Sequence, residues 1–412
     1  MELDWKKIGI ILLFIVAIAL FGFFLYYFFF RSFFVPPTNA NINTNANANG
    51  RLPLTVNING KIYTVDANGQ LPTTENVNGK TPATTLEPTT APTNETELVS
   101  KDNAYFVSSS QNGELVYYDP KTGKFYRLSL DGKISEFSDK IFYNVKNVSW
   151  SNNLEKAVLE YPDGSNIVYD FKNKKQLTLP NHWEDFSFSP NDEKLVFKSL
   201  ALDPENRFLA VANYDGSQSK TLERIGGVED KFDSNWSPNN QMVATFTQGK
   251  DANRSEVYFI GLNNENFKLM IVEGRGFQGK WSPDGQRILY SVYSSDNDYK
   301  PELWISEATP GAIGENRLKL DLTTWANKCA FSGNDRLFCA VPINPPAGVG
   351  LDPEVANEVN DQIYEIDLRT GSKKIIANPD GYHSIGQLII STDTHSLFFT
   401  DNNTKKIYKV KI

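Results

Sequence analysis

Few side chains in this 412-residue chain have the type and spacing that chemistry needs. Its histidines are His182, His383 and His395. His182 and His383 each stand beside an aromatic residue, Trp183 and Tyr382, and a histidine pair on one face is a beginning of a metal site. No third ligand accompanies them, so both are expected as solvent-exposed loop histidines. The Asp296-Asn297-Asp298 run opens like a calcium loop but lacks its glycine and distal glutamate. No Gly-x-Ser-x-Gly elbow, phosphate-binding Walker loop or His-Glu-x-x-His helix is present. The sequence therefore names no catalytic residue, no metal site and no cofactor.

Cys329 and Cys339 are the two cysteines, too few for a disulfide scaffold or a thiolate cluster. They flank the Ser332 to Arg336 turn at equal distances from Asn334. A hairpin pairing Phe331 with Leu337 sets them opposite each other, within reach of a disulfide. Such a bond requires an oxidising compartment. A net charge of -8 lacks the basic face that would displace counterions from phosphates, so no nucleic-acid partner is expected.

The elements that must position these residues begin with a membrane anchor. Residues 8–30 run about 23 positions without a charge, enough at 1.5 Å per residue to cross a hydrocarbon core of about 30 Å. Bulky Tyr26 to Phe30 occupy the place where a cleaved signal peptide has small residues. Lys6 and Lys7 put residues 1–7 in the cytoplasm and everything after the span outside, in an extracellular or periplasmic space. Residues 31–100 follow as a linker rich in Asn, Thr and Pro, which cannot bury enough apolar surface to offset backbone ordering. Within it, 54–65 carries two β-forming runs about Asn59-Gly60, a hairpin signal.

Residues 101–412 repeat. Trp150-Ser151-Asn152, Phe188-Ser189-Pro190-Asn191, Trp236-Ser237-Pro238-Asn239, Trp281-Ser282-Pro283-Asp284-Gly285, Phe331-Ser332 and a degenerate Ile390-Ser391 each precede a run of β-formers. Successive serines lie 38, 48, 45, 50 and 59 residues apart, the length of a four-stranded propeller blade. The fold expected is an all-β propeller. Counting the end fragments separately gives seven blades, merging them gives six, and seven is the reading adopted. Ala104 to Leu130 is read as strands two to four of the first blade. Apolar runs in the first two strands of each blade are read as burial between blades.

The repeat resembles that of the TolB-like propeller proteins, relatives of the WD-repeat propellers, with Trp281 to Tyr290 the fullest copy. The resemblance covers roughly 102–412 and implies a propeller that binds proteins outside the cytoplasm. Only one copy keeps every element.

In such a ring the loops joining second to third strands share a face with the blade-to-blade connections. Those loops lengthen along the chain, through 201–207, 248–255 and 294–301 to 342–362, while 111–113 is read as their short first member and 120–123 as an opposite-face turn. Long loops on a rigid scaffold are where binding residues collect. Candidate binding residues are the aromatics and histidines of this face: Trp183, Phe277, Trp325, Tyr382, Tyr299, His182 and His383, with Phe232 alongside. The function expected is a membrane-anchored scaffold or binding module for a protein or envelope glycan. The alternative is a channel-centred hydrolase or lyase acting on a glycan or small ester.

Overall fold

A computed structural model describes residues 55–58, 61–64, 93–110, 113–129, 132–391 and 396–412. The chain divides into two compact units, 1–85 and 86–412. In the first, Thr55–Ile58 pairs antiparallel with Lys61–Thr64, Ile58 opposite Lys61. Among the described residues no helix is long and apolar enough to cross a membrane. The span expected over 8–30 lies outside them.

The second unit is a propeller of seven four-stranded antiparallel blades. The blades begin with Tyr105–Ser109, Asn147–Trp150, Trp183–Phe188, Phe232–Ser234, Arg275–Trp281, Cys329–Ser332 and Ile385–Ile390, each of which is the first strand of its sheet. Blade seven takes three strands from the C-terminus and its fourth, Thr96–Leu98, from the segment ahead of blade one. Just before it, Thr93–Asn94 adds a parallel fifth strand to blade six. The ring is thus closed by residues that composition places in the linker. They are short, polar apart from an exposed Leu98, and sit on an outer edge, so they carry no apolar run.

Two readings of the first blade need correction. Tyr105–Ser109 is its first strand, not its second, because Ile134–Glu136 supplies the fourth. The 111–113 turn consequently joins strands one and two, and 120–123 joins strands two and three. Phe106 and Asp185 hold positive φ in the first strands of blades one and three, where the pairing register shifts. Blade one lacks the aromatic-Ser pair that marks the first turn of the other blades, so the sequence reading assigns its first turn to the wrong pair of strands.

The repeated serine has a structural reason. In Ser282-Pro283-Asp284-Gly285 the Ser282 hydroxyl donates to Asp284 Oδ1 at 2.6 Å and accepts from the Arg287 amide at 2.9 Å. Ser151, Ser189, Ser237 and Ser282 are all buried, each tying its own turn. An Asn one or two positions on also meets the adjacent blade. Asn152 donates to Ser189 O and Asp192, Asn239 donates to Gly285 O, and Asn334 accepts from the Asp284 amide. Gly285 stands at φ +67°, and a Cβ there would lie 2.6 Å from the Asn239 backbone nitrogen. Gly285→Ala is expected to cost about 2 kcal/mol in urea unfolding, from left-handed strain plus the displaced turn. A loss under about 0.5 kcal/mol would show that the two turns are not braced on each other.

The core lies between blades. Val158, Leu195 and Phe197 pack blade two on blade three, and Ala340, Leu397 and Phe399 pack blade six on blade seven. Second strands are the most apolar. First strands depart from the expected apolar run: Trp183–Phe188 alternates buried Trp183, Phe186 and Phe188 with less buried Glu184, Asp185 and Ser187. On the inner side first-strand residues such as Asp233, Gln278 and Gln387 line a cavity, so only the other side packs in the core.

Cys329 pairs with Cys339 across the hairpin of blade six, and the two are joined in a disulfide with Cα atoms 4.0 Å apart. Both cysteines are fully buried against Leu289, Leu303 and Leu337.

Candidate functional site: the channel and its loop rim

Around the channel the first strands direct side chains inward at alternate positions. The third residue before each motif aromatic is polar in six blades: Asn147, Asp185, Asp233, Gln278, Lys328 and Gln387. In blades four and five the residue directly before the aromatic is polar as well, as Asn235 and Lys280. Asp233, Asn235, Gln278, Lys280 and Gln387 line one cavity of about 730 Å³ together with Asn327 of the 326–328 turn. Gln278 and Asn327 continue from it into a smaller recess of about 140 Å³ that also touches Asn357 and Asn402.

Charges inside this wall are unevenly matched. Lys328 places Nζ 2.8 Å from both carboxylate oxygens of Asp361, a buried pair joining blade six to the 326–328 turn. Asp361 Oδ2 also accepts the Ile385 amide of blade seven at 2.6 Å. Asp185 pairs with Lys198 at 2.9 Å. Burial, reinforced by Asp185, pushes the Asp233 carboxyl above its ordinary range. Burial likewise pushes the Lys280 amine down to about 8. Lys280 donates to Cys329 O at 2.6 Å, and no described carboxylate lies within ion-pair distance of it.

The loop face above the channel is cross-braced. The Asn253 amide of the blade-four loop donates to Ser295 of the blade-five loop at 2.7 Å. The blade-six loop leans on the blade-five loop through Gly348 N to Asp298 O, 2.7 Å, and Gly350 N to Tyr299 O, 2.8 Å. Gly350 is required there, since a Cβ would lie 2.6 Å from Tyr299 O. Asn357 of the same loop meets blade seven, accepting from Asn402, Ser384, Asn403 and Tyr382. Four consecutive blades thus carry one continuous rim.

The expected site residues divide. Tyr299 and Tyr382 are exposed on the rim at 42% and 52%, and Phe277 is half-buried at the cavity wall. Trp183 and Trp325, expected on the loop face, are buried rather than displayed. Trp183 is buried in a stack on Phe197 with ring centres 3.7 Å apart, and Trp325 lies beneath the long loop against Val349 and Ala356. Phe232 is buried too. Their rings fill gaps that short strands leave between blades. His182 is exposed, as expected. His383 is not: it is buried, with Nδ1 2.9 Å from Asp401 Oδ2 and its ring edge-on to Tyr408 and Phe399. Burial is possible because Asp401 supplies a partner for the imidazole. The two histidines belong to blades three and seven, and no group of three or more metal-ligating side chains occurs among the described residues. Asp296 and Asp298 sit in the blade-five loop, where Asp298 turns the chain at φ 51°.

No protein-family model and no curated protein matches this chain. Solved structures do. The β-propeller domain of Cps50 (Swd1) from Myceliophteria thermophila superposes with a TM-score of 0.51 at 12% identity, covering 78% of this chain and all of that one. Tricorn protease gives 0.50 at 10% identity, over 86% of this chain but 35% of that longer one. An oligogalacturonate lyase in complex with manganese gives 0.49 at 11% identity, over 77% and 93%. At such identities the likeness concerns the fold alone. The class defined is the seven-bladed β-propeller.

Proposed function

We propose that this chain is a membrane-anchored propeller of the TolB-like kind, displayed outside the cytoplasm, whose loop rim binds a protein partner at the cell envelope. The observation that carries the reading is the rim's combination of rigidity and exposed apolar surface. Leu351 is 60% exposed and Val355 38%, both on the braced blade-six loop and joined there by Tyr299 and Tyr382. Loops already held by one another lose little freedom on binding, and exposed aromatic and aliphatic side chains on a rigid base suit a protein interface. The Cys329–Cys339 disulfide supports an oxidising location.

Site-specific photocrosslinking in intact cells tests it. A photoreactive residue at Leu351, Val355 or Tyr382 is expected to give the same adduct from all three positions. Leu177, as exposed as Val355 but on the outer strand of blade two, is expected to give none. Leu351→Asp should cut the adduct formed from Tyr382 at least fivefold, and protease added outside should remove it. Adducts that form equally from Leu177, or that resist protease where the envelope admits it, would reject the proposal.

A second reading, a channel-centred hydrolase or lyase, draws on Asp233 and Lys280 facing one cavity. It requires the purified chain to turn over a glycan or small ester and the turnover to fall with Asp233→Asn.

A further inference from the structure

Lys280 poses a problem that the rim does not solve. Its ammonium is half-buried at the cavity wall, partly withdrawn from water, its one acceptor among the described residues is the neutral Cys329 carbonyl, and no described carboxylate is in ion-pair reach. Enclosing an ammonium without a counter-anion is costly, and evolved interiors usually pair such charges. The lysine instead borders a cavity of about 730 Å³, inside the range of small-molecule sites, about 300–1,000 Å³. The rest of that wall is rich in carboxamides: Asn235, Gln278, Asn327 and Gln387. Each offers both a donor and an acceptor, the pairing a hydroxyl group needs. Phe277 adds one apolar ring.

We propose that this cavity binds a small polyhydroxylated carboxylate, with Lys280 taking the carboxylate and the carboxamides taking the hydroxyls. The site is separate from the rim, so neither proposal depends on the other. Asp233 on the same wall accepts from a ligand hydroxyl. The other charges near the lysine are Asp230 at the cavity edge and the Lys328–Asp361 and His383–Asp401 pairs, both already matched.

The lowered amine supplies a signature. Held near 8, Lys280 is largely protonated at pH 7, and a bound carboxylate favours its charged form. Affinity should therefore be nearly full at pH 7, about half at pH 8, and fall by about thirtyfold between pH 7 and pH 9.5 for a single required proton.

Calorimetric titration of the full-length protein with gluconate, glucuronate, glucose and acetate tests this. Gluconate or glucuronate is expected to bind at least tenfold tighter than both glucose and acetate. Preference for gluconate marks a free hydroxy acid as the ligand, and preference for glucuronate a sugar-acid terminus. Lys280→Gln should weaken the preferred acid at least tenfold and flatten the pH profile, with Asp230 and Asp233 still in place, while Lys280→Arg should keep most of the affinity. If Lys280→Gln does not fold, Gln278→Leu, which faces the channel without bonding to a neighbouring blade, should bring the acid down towards acetate. The proposal is overturned if neither acid binds, if acetate or glucose binds as tightly, or if Lys280→Gln and Gln278→Leu leave affinity unchanged.

Discussion

Asp361→Ala is expected to lower the free energy of unfolding by about 3–5 kcal/mol, the range for breaking a buried ion pair from one side. The carboxylate is fully buried and receives three donors, two contacts from Lys328 Nζ and one from the Ile385 amide. Removing it strands a buried ammonium and a buried N–H together, at the seam of blades six and seven. Urea unfolding of purified protein measures the loss. The double variant Asp361→Leu with Lys328→Met should recover most of it, because the charge that was stranded is gone. If the single variant loses less than about 1 kcal/mol, Lys328 has found another partner or water, and the pair does not hold the seam. Lys328 is also 5.8 Å above the Trp325 ring, which keeps the ammonium near the base of the long loop.

Removing the closing strands should do as much or more. A chain that begins at residue 102 lacks Thr93–Asn94 and Thr96–Leu98. It also loses the Asn94 side-chain bonds to Asn378 and Lys411 and the Thr96 bonds to Asp380. Ser100 goes too, and with it the acceptor for the Ile407 amide. At about 1 kcal/mol for each of the bonds lost, the deficit is roughly 5–8 kcal/mol. It is compounded by an unpaired edge on Ile407–Lys411 that invites aggregation. A synthetic peptide spanning 90–101 is expected to restore much of the stability when added to the shortened chain. Urea midpoints of the two chains, with and without peptide, decide it. Equal midpoints would mean that the three C-terminal strands complete blade seven unaided.

These two sites differ in how they could be read. The blade length followed from the spacing of the serine turns, and the count of seven from taking the end fragments as separate blades; the turn chemistry is local, since the hydroxyl and the Asn or Asp two residues on close one hairpin. The Cys329–Cys339 register was legible for the same reason, since a short turn fixes which residues stand opposite. The closing strand was not, because Thr96–Leu98 is a three-residue strand with a single apolar side chain, whose partner, Tyr408–Val410, lies more than 300 positions away. The first blade was misread by one strand where no aromatic-Ser pair marks the turn.

The channel site shows the same division. Polar residues three positions before each motif aromatic are a period-two signal present in the sequence, and Gln278, Asp233 and Gln387 were findable from it. What the signal could not distinguish is Lys328, which occupies that position yet turns to Asp361, from Lys280, which does not and is left without an anion. Likewise, proximity in sequence grouped His182-Trp183 with Tyr382-His383 as one kind of pair. In the structure the first exposes its histidine and buries its ring, and the second does the reverse. Exposure of a loop residue depends on what other strands and loops of its blade set beside it, such as Asp401 for His383 or Val349 and Ala356 for Trp325. The sequence by itself determined the repeat, its strands and its turns, because these rest on contacts within a few residues. The charged seam, the braced rim and the unmatched lysine were decided by closing the ring, because only that brings distant blades into contact.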